Sequence, residues 1–205
     1  MSRPLGSSVL FLLVAFVASS AFAAGSATTL KNLQTAFNGE SNANARYVAF
    51  AKRADEEGYG QVASLFRAAA RAEAIHASNH AVVIKNLGGT PEAKIEKPDV
   101  KTTRENLAAA VKGETYERDQ MYPEFLKQAR AVANKDAVQT FNYAKSAETE
   151  HTRLYTEALN KLDTLKGSKN LAYFVCPTCG YTVRTIDFAK CPVCFTGKEK
   201  YETVS

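Results

Sequence analysis

The sequence predicts a mainly α fold, namely a four-helix bundle followed by a small β unit built on metal knuckles. Two observations predict the bundle: long segments with helical apolar periodicity that end at glycines, and a carboxylate and histidine pattern repeated at the spacing of a helical hairpin. The β unit is predicted because all four cysteines fall within residues 176–194. At 205 residues, 45% of them hydrophobic, the chain can bury the core of one good-sized domain and a small appendage.

The first two predicted helices form one hairpin. Apolar periodicity covers 29–57 and 61–87, and Gly58 and Gly88 end the two segments. A connection this short places the two helices antiparallel.

A second hairpin follows the link 90–101, which is long enough to cross the bundle. Thr102 and Glu105 have the spacing of a capping box, so the third helix begins there. Pro123 predicts a kink in this helix because proline lacks an N–H.

The fourth predicted helix is capped by Asn134 or Asp136 and continues to about residue 165. The bundle is therefore assigned to residues 27–167. The composition then changes to short aromatic and β-branched runs, so residues 170–205 are assigned to the β unit.

A carboxylate and histidine pattern occurs twice along the helices. In each copy a lone glutamate is followed, 33 or 34 residues later, by an ExxH pair. Residues three apart share a helix face, so four helices can aim these side chains at one buried point. Uncompensated charges there would cost several kcal/mol each, which metal ions would neutralise. The pattern predicts a dinuclear centre, with iron as the favoured metal. Its residues are Glu40, Glu73, His76, Glu114, Glu148 and His151.

Two further polar residues lie close to this pattern. Glu117 adds a fifth carboxylate to the face of Glu114, although charge patterning alone would make it an exposed helix charge. His80 follows His76 by one turn and is interpreted as a surface histidine outside the predicted site.

The cysteines predict a second metal site. They form two CxxC pairs, Cys176 with Cys179 and Cys191 with Cys194, with 11 residues between the pairs. Four thiolates suit tetrahedral zinc or iron, and the spacing does not decide between the two metals. Disulfides are the alternative for an exported protein, but paired CPxC knuckles match a metal site better.

The N-terminus predicts export. Arg3 precedes an apolar run over 9–18, and Ala21 and Ala23 are the small residues that a signal peptidase requires. We expect residues 1–24 to be a signal peptide, cleaved near Ala23 or Ala24, and the mature protein to be periplasmic. An uncleaved membrane anchor is the alternative, but the run is shorter than the roughly 20 residues that span a bilayer. No stable membrane insertion is expected after cleavage.

The charge pattern argues against nucleic-acid binding. The formal net charge is +5, but acidic residues are interleaved with the basic ones throughout. No basic run alternates with aromatic residues, so the lysines and arginines are interpreted as solvated faces.

Taken together, the motifs resemble the rubrerythrin family over essentially the whole mature chain. The resemblance implies a ferritin-like di-iron bundle followed by a rubredoxin-like domain, whose four cysteines hold a single redox-active iron. It also implies that the two irons of the bundle would be non-haem irons bridged by oxo and carboxylate groups. The matching segments are 37–41, 73–76, 113–117, 121–125, 148–151, 176–181 and 191–194.

The resemblance also implies ligand roles. Glu73 and Glu148 would bridge the two irons. Glu40 would be a terminal ligand of one iron, and Glu114 with His151 would complete the other.

Four further residues match functional positions of the family. Glu117 and His76 would exchange as ligands of the first iron with its redox state, which would make Glu117 a ligand. Tyr47 and Tyr122 match tyrosines near the centre and are interpreted as donors that orient carboxylates. Ordinary core packing is the alternative for both tyrosines.

Two features depart from the family pattern. A glycine usually follows the last cysteine, where open backbone lets an N–H reach sulfur; here the residue is Phe195, and a changed hydrogen bond would alter the reduction potential. A signal peptide is also unusual, because most family members are cytoplasmic. Since NAD(P)H is not expected outside the cytoplasm, we expect an unidentified redox protein to donate the electrons.

The resemblance implies a peroxidase of oxidative-stress defence that reduces hydrogen peroxide to water, with electrons entering through the rubredoxin-like iron. Glu117, Tyr47 and Tyr122 are candidates to deliver protons. A head-to-tail homodimer would pair the cysteine iron of one subunit with the di-iron centre of the other. A ferroxidase that stores or buffers iron is the main alternative, although a storage protein needs no electron inlet. A protein with zinc in both sites is a third possibility.

Overall fold

The structure, a computed structural model, describes residues 8–205, with side chains from residue 25 onward. It confirms the predicted mainly α fold, because its helices form a four-helix bundle and a small β unit carries the cysteines. The helices are α1 (Ser8–Glu56), α2 (Gly60–Asn86), α3 (Thr103–Tyr116), α4 (Tyr122–Ala131) and α5 (Lys135–Asn160). The strands are β1 (Tyr173–Val175), β2 (Thr182–Val183) and β3 (Glu202–Val204).

Helix α1 begins at Ser8, well before the start predicted at residue 29. The predicted signal peptide, residues 1–24, lies outside the residues whose side chains are described, so its cleavage stays a prediction. Among the helices that the structure describes, none is long and apolar enough to cross a membrane.

A π-helical segment, Glu117–Met121, joins α3 to α4 into one helix of the bundle. Pro123 lies just beyond it and would clash with the carbonyl four residues earlier in a regular α-helix. The wider π turn lets the helix continue past this proline. The kink predicted at Pro123 is therefore a π segment on its N-terminal side.

Side-chain caps fix where α3 and α5 begin. The Thr102 hydroxyl accepts from the Glu105 N–H at 3.3 Å, and the Glu105 carboxylate accepts from the Thr102 N–H at 3.2 Å, which confirms the capping box. The side-chain oxygen of Asn134 accepts from the Ala137 N–H at 3.0 Å, so Asn134 rather than Asp136 caps α5. Each cap contributes about 1 kcal/mol to helix stability.

Two buried aromatic clusters fill the interior of the bundle. In one, the Phe66 and Tyr155 ring centroids lie 5.2 Å apart, and Tyr47 packs on both rings. In the other, the Tyr122 and Phe141 centroids lie 5.9 Å apart. Because Tyr47 and Tyr122 each donate to a buried carboxylate, the polar site lies between the two clusters.

The β unit packs against the bundle of its own chain. Its strands form an antiparallel sheet in the order β2-β1-β3, of which β3 was not predicted. The Leu171 N–H donates to the Ser64 hydroxyl at 3.1 Å, and Arg71 forms a two-pronged ion pair with Glu202 at 2.6 and 2.8 Å. The tail therefore reaches its own bundle, a point that the short connection after α5 had left open.

Candidate metal centres

Six buried side chains from four helices meet inside the bundle. Glu40 comes from α1 and Glu114 from α3, while α2 and α5 each supply one ExxH pair. All six are at most 1% exposed. The structure thus brings together every residue of the repeated pattern: Glu40, Glu73, His76, Glu114, Glu148 and His151.

These six residues form two overlapping groups. Glu40 and His76 belong to the first group and Glu114 and His151 to the second, and within each group the candidate ligand atoms lie within 4.8 Å of one another. Glu73 and Glu148 belong to both groups. Each of these two carboxylates can therefore contact both metal positions.

Both histidines direct Nδ1 toward the shared carboxylates. His76 Nδ1 lies 2.8 Å from Glu73 Oε2 and 3.1 Å from Glu148 Oε1. His151 Nδ1 lies 2.8 Å from Glu148 Oε2 and 3.4 Å from Glu73 Oε1. The two rings approach the same pair of carboxylates, with centroids 6.3 Å apart.

The charges of this cluster need compensation that the protein alone does not supply. Four buried carboxylate oxygens have no hydrogen-bond partner: Glu40 Oε2, Glu73 Oε1, Glu114 Oε2 and Glu148 Oε1. Each carboxylate is hydrogen-bonded through its other oxygen only, and burying negative charge that is incompletely compensated costs free energy, so the four glutamates together would destabilise the protein. Carboxylate oxygens with imidazole nitrogens suit a pair of divalent first-row metals. The residues present therefore fit a dinuclear metal centre.

Burial and mutual repulsion perturb the pKa values of the cluster. Burial raises the pKa of Glu148, and the neighbouring Glu73 and Glu114 charges raise it further. Burial alone would raise the pKa of Glu73, but the adjacent His151 and His76 imidazoles outweigh it and lower the pKa. Burial would lower the pKa of His76, but the hydrogen bond to Glu73 and the charges of Glu73 and Glu40 raise it to about 9.

Two buried tyrosines donate to the terminal carboxylates. The Tyr47 hydroxyl donates to Glu114 Oε1, and the Tyr122 hydroxyl donates to Glu40 Oε1. In each glutamate the other oxygen, Oε2, is the one without a partner. Each tyrosine therefore binds one oxygen of a carboxylate and leaves the other oxygen of that carboxylate available to a metal.

Glu117 lies outside both groups of candidate ligands among the residues that the structure describes. It begins the π segment, one turn beyond Glu114, and is only partly buried. Burial raises its pKa, and the Glu114 and Glu73 charges add to the effect. In this arrangement the group of candidate ligands that contains Glu40 includes His76 and not Glu117.

His80 is buried, contrary to its interpretation as a surface histidine. Its Nδ1 lies 2.9 Å from the Thr140 hydroxyl and its Nε2 lies 3.2 Å from the Tyr122 hydroxyl. Burial lowers the pKa of His80 to about 3, and the His76 charge contributes. Helical periodicity could have revealed this, because a residue four positions beyond His76 shares its inward face.

The cysteines form the second candidate site. All four thiols are free, which excludes the disulfide alternative in this structure, and their sulfurs lie within 4.8 Å of one another. The Cys176 and Cys194 sulfurs are 3.4 Å apart and those of Cys179 and Cys191 are 3.6 Å apart. Hydrogen bonds from the Cys179 thiol and from backbone N–H groups lower the pKa of the Cys176 thiol to about 4. Four sulfurs at these distances fit one tetrahedral metal ion.

The two knuckles have the same backbone shape despite the departure at Phe195. Gly180 has φ +75° and Phe195 has φ +62°, and each donates its N–H to the carbonyl of the first cysteine of its pair, at 2.9 and 3.0 Å. The N–H of the next residue reaches sulfur in both knuckles, from Tyr181 to Cys179 and from Thr196 to Cys194. Phe195 therefore keeps the hydrogen bonds that its sequence position was expected to change.

The two candidate sites touch through the outer nitrogens of the histidines. His76 Nε2 lies 3.1 Å from the Cys179 carbonyl oxygen, and His151 Nε2 lies 3.2 Å from the Thr182 hydroxyl. A Cβ at Gly180 would collide with the His76 ring, so only glycine permits this approach. Sequence reasoning missed the contributions of Gly180 and Thr182, because nothing local to them signals the contact.

Comparison with known proteins identifies the family. The family model described as Rubrerythrin matches residues 31–159. The chain is 41% identical over 186 residues to nigerythrin of Nitratidesulfovibrio vulgaris, which covers 90% of each protein. The chain belongs to the rubrerythrin family. Rubrerythrin-2 of Clostridium acetobutylicum is 34% identical over 86% of this chain and 96% of its own length.

Solved structures agree with membership of the rubrerythrin family. Fully reduced, all-ferrous nigerythrin superposes with a TM-score of 0.78 at 38% identity, over 85% of this chain and 86% of that one. A bacterioferritin of Desulfovibrio desulfuricans reaches a TM-score of 0.66 at 22% identity, covering 72% of this chain and 92% of that one, and shares the fold alone.

Family membership together with the two donor sets assigns the cofactors. This rubrerythrin carries a di-iron pair at the carboxylates and histidines and iron at the four cysteines. It is a di-iron oxidoreductase of oxidative-stress defence.

Proposed function

We propose that this rubrerythrin is a peroxidase that reduces hydrogen peroxide to water. The observation that supports it best is the hydrogen bond between His76 Nε2 and the Cys179 carbonyl at 3.1 Å, which joins the cysteine site to the carboxylate site. An iron store has no use for such a connection, whereas a peroxidase must be re-reduced after each turnover. Electrons therefore enter at the cysteine iron and leave at the bundle.

The six buried residues take the roles that their positions favour. Glu73 and Glu148, shared by both groups, would hold both metals, while Glu40 with His76 would hold one and Glu114 with His151 the other. When bound, the ferrous pair supplies two electrons to the O–O bond and the cysteine iron returns them one at a time.

The tyrosines fix the geometry of the terminal carboxylates. Because Tyr47 holds Glu114 Oε1 and Tyr122 holds Glu40 Oε1, neither carboxylate can rotate without losing a buried hydrogen bond. Such outer partners orient ligands and are often as important as the ligands themselves.

Glu117 supplies a proton where the O–O bond breaks. Its raised pKa means that it is more often protonated near neutral pH than an ordinary glutamate, and it lies one turn from Glu114 at the edge of the cluster. A carboxylic acid in this position can protonate a departing oxygen. The carboxylate that remains would be the group that exchanges with His76 as an iron ligand, as the family resemblance implies.

Export and the electron donor belong to the same proposal. The apolar run over 9–18 and the small residues Ala21 and Ala23 support a cleaved signal peptide and a periplasmic location. The donor is then a redox protein outside the cytoplasm. A head-to-tail homodimer stays a prediction, but this electron route does not require one, since the tail contacts its own bundle.

The deciding experiment mixes the anaerobically reduced, iron-loaded protein with one equivalent of hydrogen peroxide and follows the visible absorbance of the ferric thiolate. We expect rapid reoxidation of the cysteine iron, faster with peroxide than with oxygen, and its loss in Glu148→Gln. Glu150→Gln is the matched control, because Glu150 lies on the same helix but pairs with Arg153 at the surface.

Two other outcomes would contradict the proposal. Reoxidation no faster with peroxide than with air would favour iron oxidation and storage. Peroxide turnover that survives in Glu148→Gln would mean that the chemistry lies elsewhere. Metal analysis with visible spectra tests the third possibility, since a protein with zinc in both sites is colourless.

A further inference from the structure

A line of hydrogen bonds crosses the bundle from its surface to Glu40. The Thr140 hydroxyl lies 2.9 Å from His80 Nδ1, His80 Nε2 lies 3.2 Å from the Tyr122 hydroxyl, and that hydroxyl donates to Glu40 Oε1. His80, Tyr122 and Glu40 are fully buried, and Thr140 is 4% exposed. The line therefore connects a candidate metal ligand to the edge of the bundle through three uncharged polar side chains.

The donors in this line all point toward the metal site. A metal-bound Glu40 is a carboxylate, which only accepts, so Tyr122 donates to it. The Tyr122 oxygen then accepts from His80, which places the proton of the neutral imidazole on Nε2. His80 Nδ1 is left as an acceptor, so Thr140 donates to it. The lone pairs of the Thr140 oxygen remain available to a donor from outside.

The outer end of the line opens on a cavity. Thr140 lines a space of about 300 Å³ between α2 and α5, together with the polar side chains of Asn79, Asp136 and Gln139. A cavity of this size and polarity holds several water molecules. Water there can donate to the Thr140 oxygen.

We propose that Thr140, His80 and Tyr122 form a proton path from this cavity to Glu40. The inference rests on the proposed peroxidase function, because reduction of hydrogen peroxide to two waters breaks the O–O bond, takes two electrons from the ferrous pair and takes up two protons.

Each transfer along the path conserves protons. Water protonates the Thr140 oxygen as Thr140 protonates His80 Nδ1. His80 gives up its Nε2 proton to Tyr122, and Tyr122 protonates Glu40, which passes the proton to a peroxide oxygen. Every group of the path ends with as many protons as it began with, and the imidazole has changed tautomer. One proton passes along the path in each turnover and Glu117 supplies the other, and the imidazole regains its first tautomer before the next turnover.

The kinetic test removes the outermost hydroxyl while keeping the side-chain shape. Thr140→Val deletes the donor and Thr140→Ser restores it. Thr156→Val is the control, since Thr156 lies on the same helix, is exposed and donates to the Thr152 carbonyl at 2.7 Å, away from the path.

Single turnover of the reduced, iron-loaded protein with hydrogen peroxide gives the rates. We expect Thr140→Val to react at least about tenfold more slowly, as for loss of a positioned proton donor, with a larger solvent deuterium isotope effect. Thr140→Ser and Thr156→Val should stay within about twofold of wild type.

A second readout needs no turnover. In the zinc-loaded protein, ¹⁵N NMR should show His80 neutral with its proton on Nε2, and Thr140→Val should shift the Nδ1 resonance toward that of an unbonded acceptor. A proton on Nδ1 would overturn the path, and so would normal turnover by Thr140→Val. A wild-type protein that does not reduce peroxide would instead overturn the proposed function itself, so the two failures are distinguishable.

Discussion

His76 Nε2 lies 3.1 Å from the carbonyl oxygen of Cys179, so a single hydrogen bond joins the two metal sites of one chain. The other nitrogen of the same ring faces Glu73 and Glu148. His76 is therefore placed to bind one metal directly and to contact a ligand of the other.

Substitution of Gly180 should break the hydrogen bond between His76 and the Cys179 carbonyl. Gly180 has φ +75°, and a Cβ there would collide with the His76 ring. Gly180→Ala should destabilise the tail by about 1–2 kcal/mol through backbone strain alone. Because the ring must also move, electron transfer from the cysteine iron should slow by about tenfold or more. Stopped-flow reoxidation of the cysteine iron measures this rate.

Gly88→Ala is the control for backbone strain. Gly88 has φ +79° but nothing within 4 Å of its Cβ position, so it carries the conformational cost without the collision. Wild-type electron transfer in Gly180→Ala would show that the contact with His76 is not the electron route.

Loss of the Thr182 hydroxyl should weaken metal binding in the bundle. His151 Nε2 lies 3.2 Å from this hydroxyl, which fixes the ring so that Nδ1 faces the carboxylates. Thr182→Val should lower zinc affinity at the bundle by about 10–100-fold, as for other outer partners of metal-binding histidines. Thr182→Ser keeps the acceptor and should bind as wild type does. Equal affinities in a chelator competition would rule out this role for Thr182.

Phe195 should be replaceable by glycine with a gain in stability. It has φ +62°, which costs a residue with a Cβ about 1–2 kcal/mol, and its ring is 73% exposed. Glycine removes the strain but adds up to about 1 kcal/mol of chain entropy to the unfolded state. Phe195→Gly should therefore be more stable than Phe195→Ala by about 0.5–1 kcal/mol.

The readout is the guanidinium midpoint at which the red ferric thiolate absorbance disappears. Phe195→Ala keeps the backbone strain but lacks the aromatic ring. It therefore separates the effect of the strain on stability from the effect of losing the ring. An alanine variant as stable as the glycine variant would mean that the knuckle relaxes this strain in some other way.

Metal loading should release protons. Burial and neighbouring carboxylates raise the pKa values of Glu40 and Glu148, and bonds to carboxylates overcome burial to raise the pKa of His76 to about 9. The stability that His76 contributes to the metal-free protein is therefore full below pH 6.5 and is lost as the pH rises through about 9. Since metals bind the deprotonated groups, zinc affinity should rise with pH.

Proton release can be read with an indicator dye in weak buffer at pH 7 as zinc is added. His76→Gln should release fewer protons than wild type, because the glutamine carries none to displace. Equal release from both proteins would contradict the raised pKa of His76.

The six buried ligands could be predicted because their spacing is a local property of helices. Residues three apart share a face, and repetition of the ExxH pair fixed which face turns inward. Glu40, Glu73 and Glu148 lie where that reasoning placed them. The burial of His80 could also have been predicted, because it shares the inward face of His76, but its partners could not, since Tyr122 and Thr140 lie 42 and 60 residues away.

The docking of the tail could not be predicted for the same reason. Its contacts join residues more than 100 positions apart, such as His76 with Cys179 or Leu171 with Ser64. Apolar periodicity predicts individual helices and strands. It does not predict how the folded tail packs against the folded bundle. The π segment was also missed as such, since Pro123 signals a disturbance of the helix but not the form it takes.

On the proposed electron route, contact between the tail and its own bundle would make electron exchange between the two sites unimolecular. Its rate should be the same at nanomolar and at millimolar protein. It also follows that a chain lacking Cys176 and a chain lacking Glu148 would not rescue one another when mixed, because each would hold its intact site against its own damaged one. On that route each protein molecule would transfer electrons between its own two sites, and dilution would not interrupt the transfer.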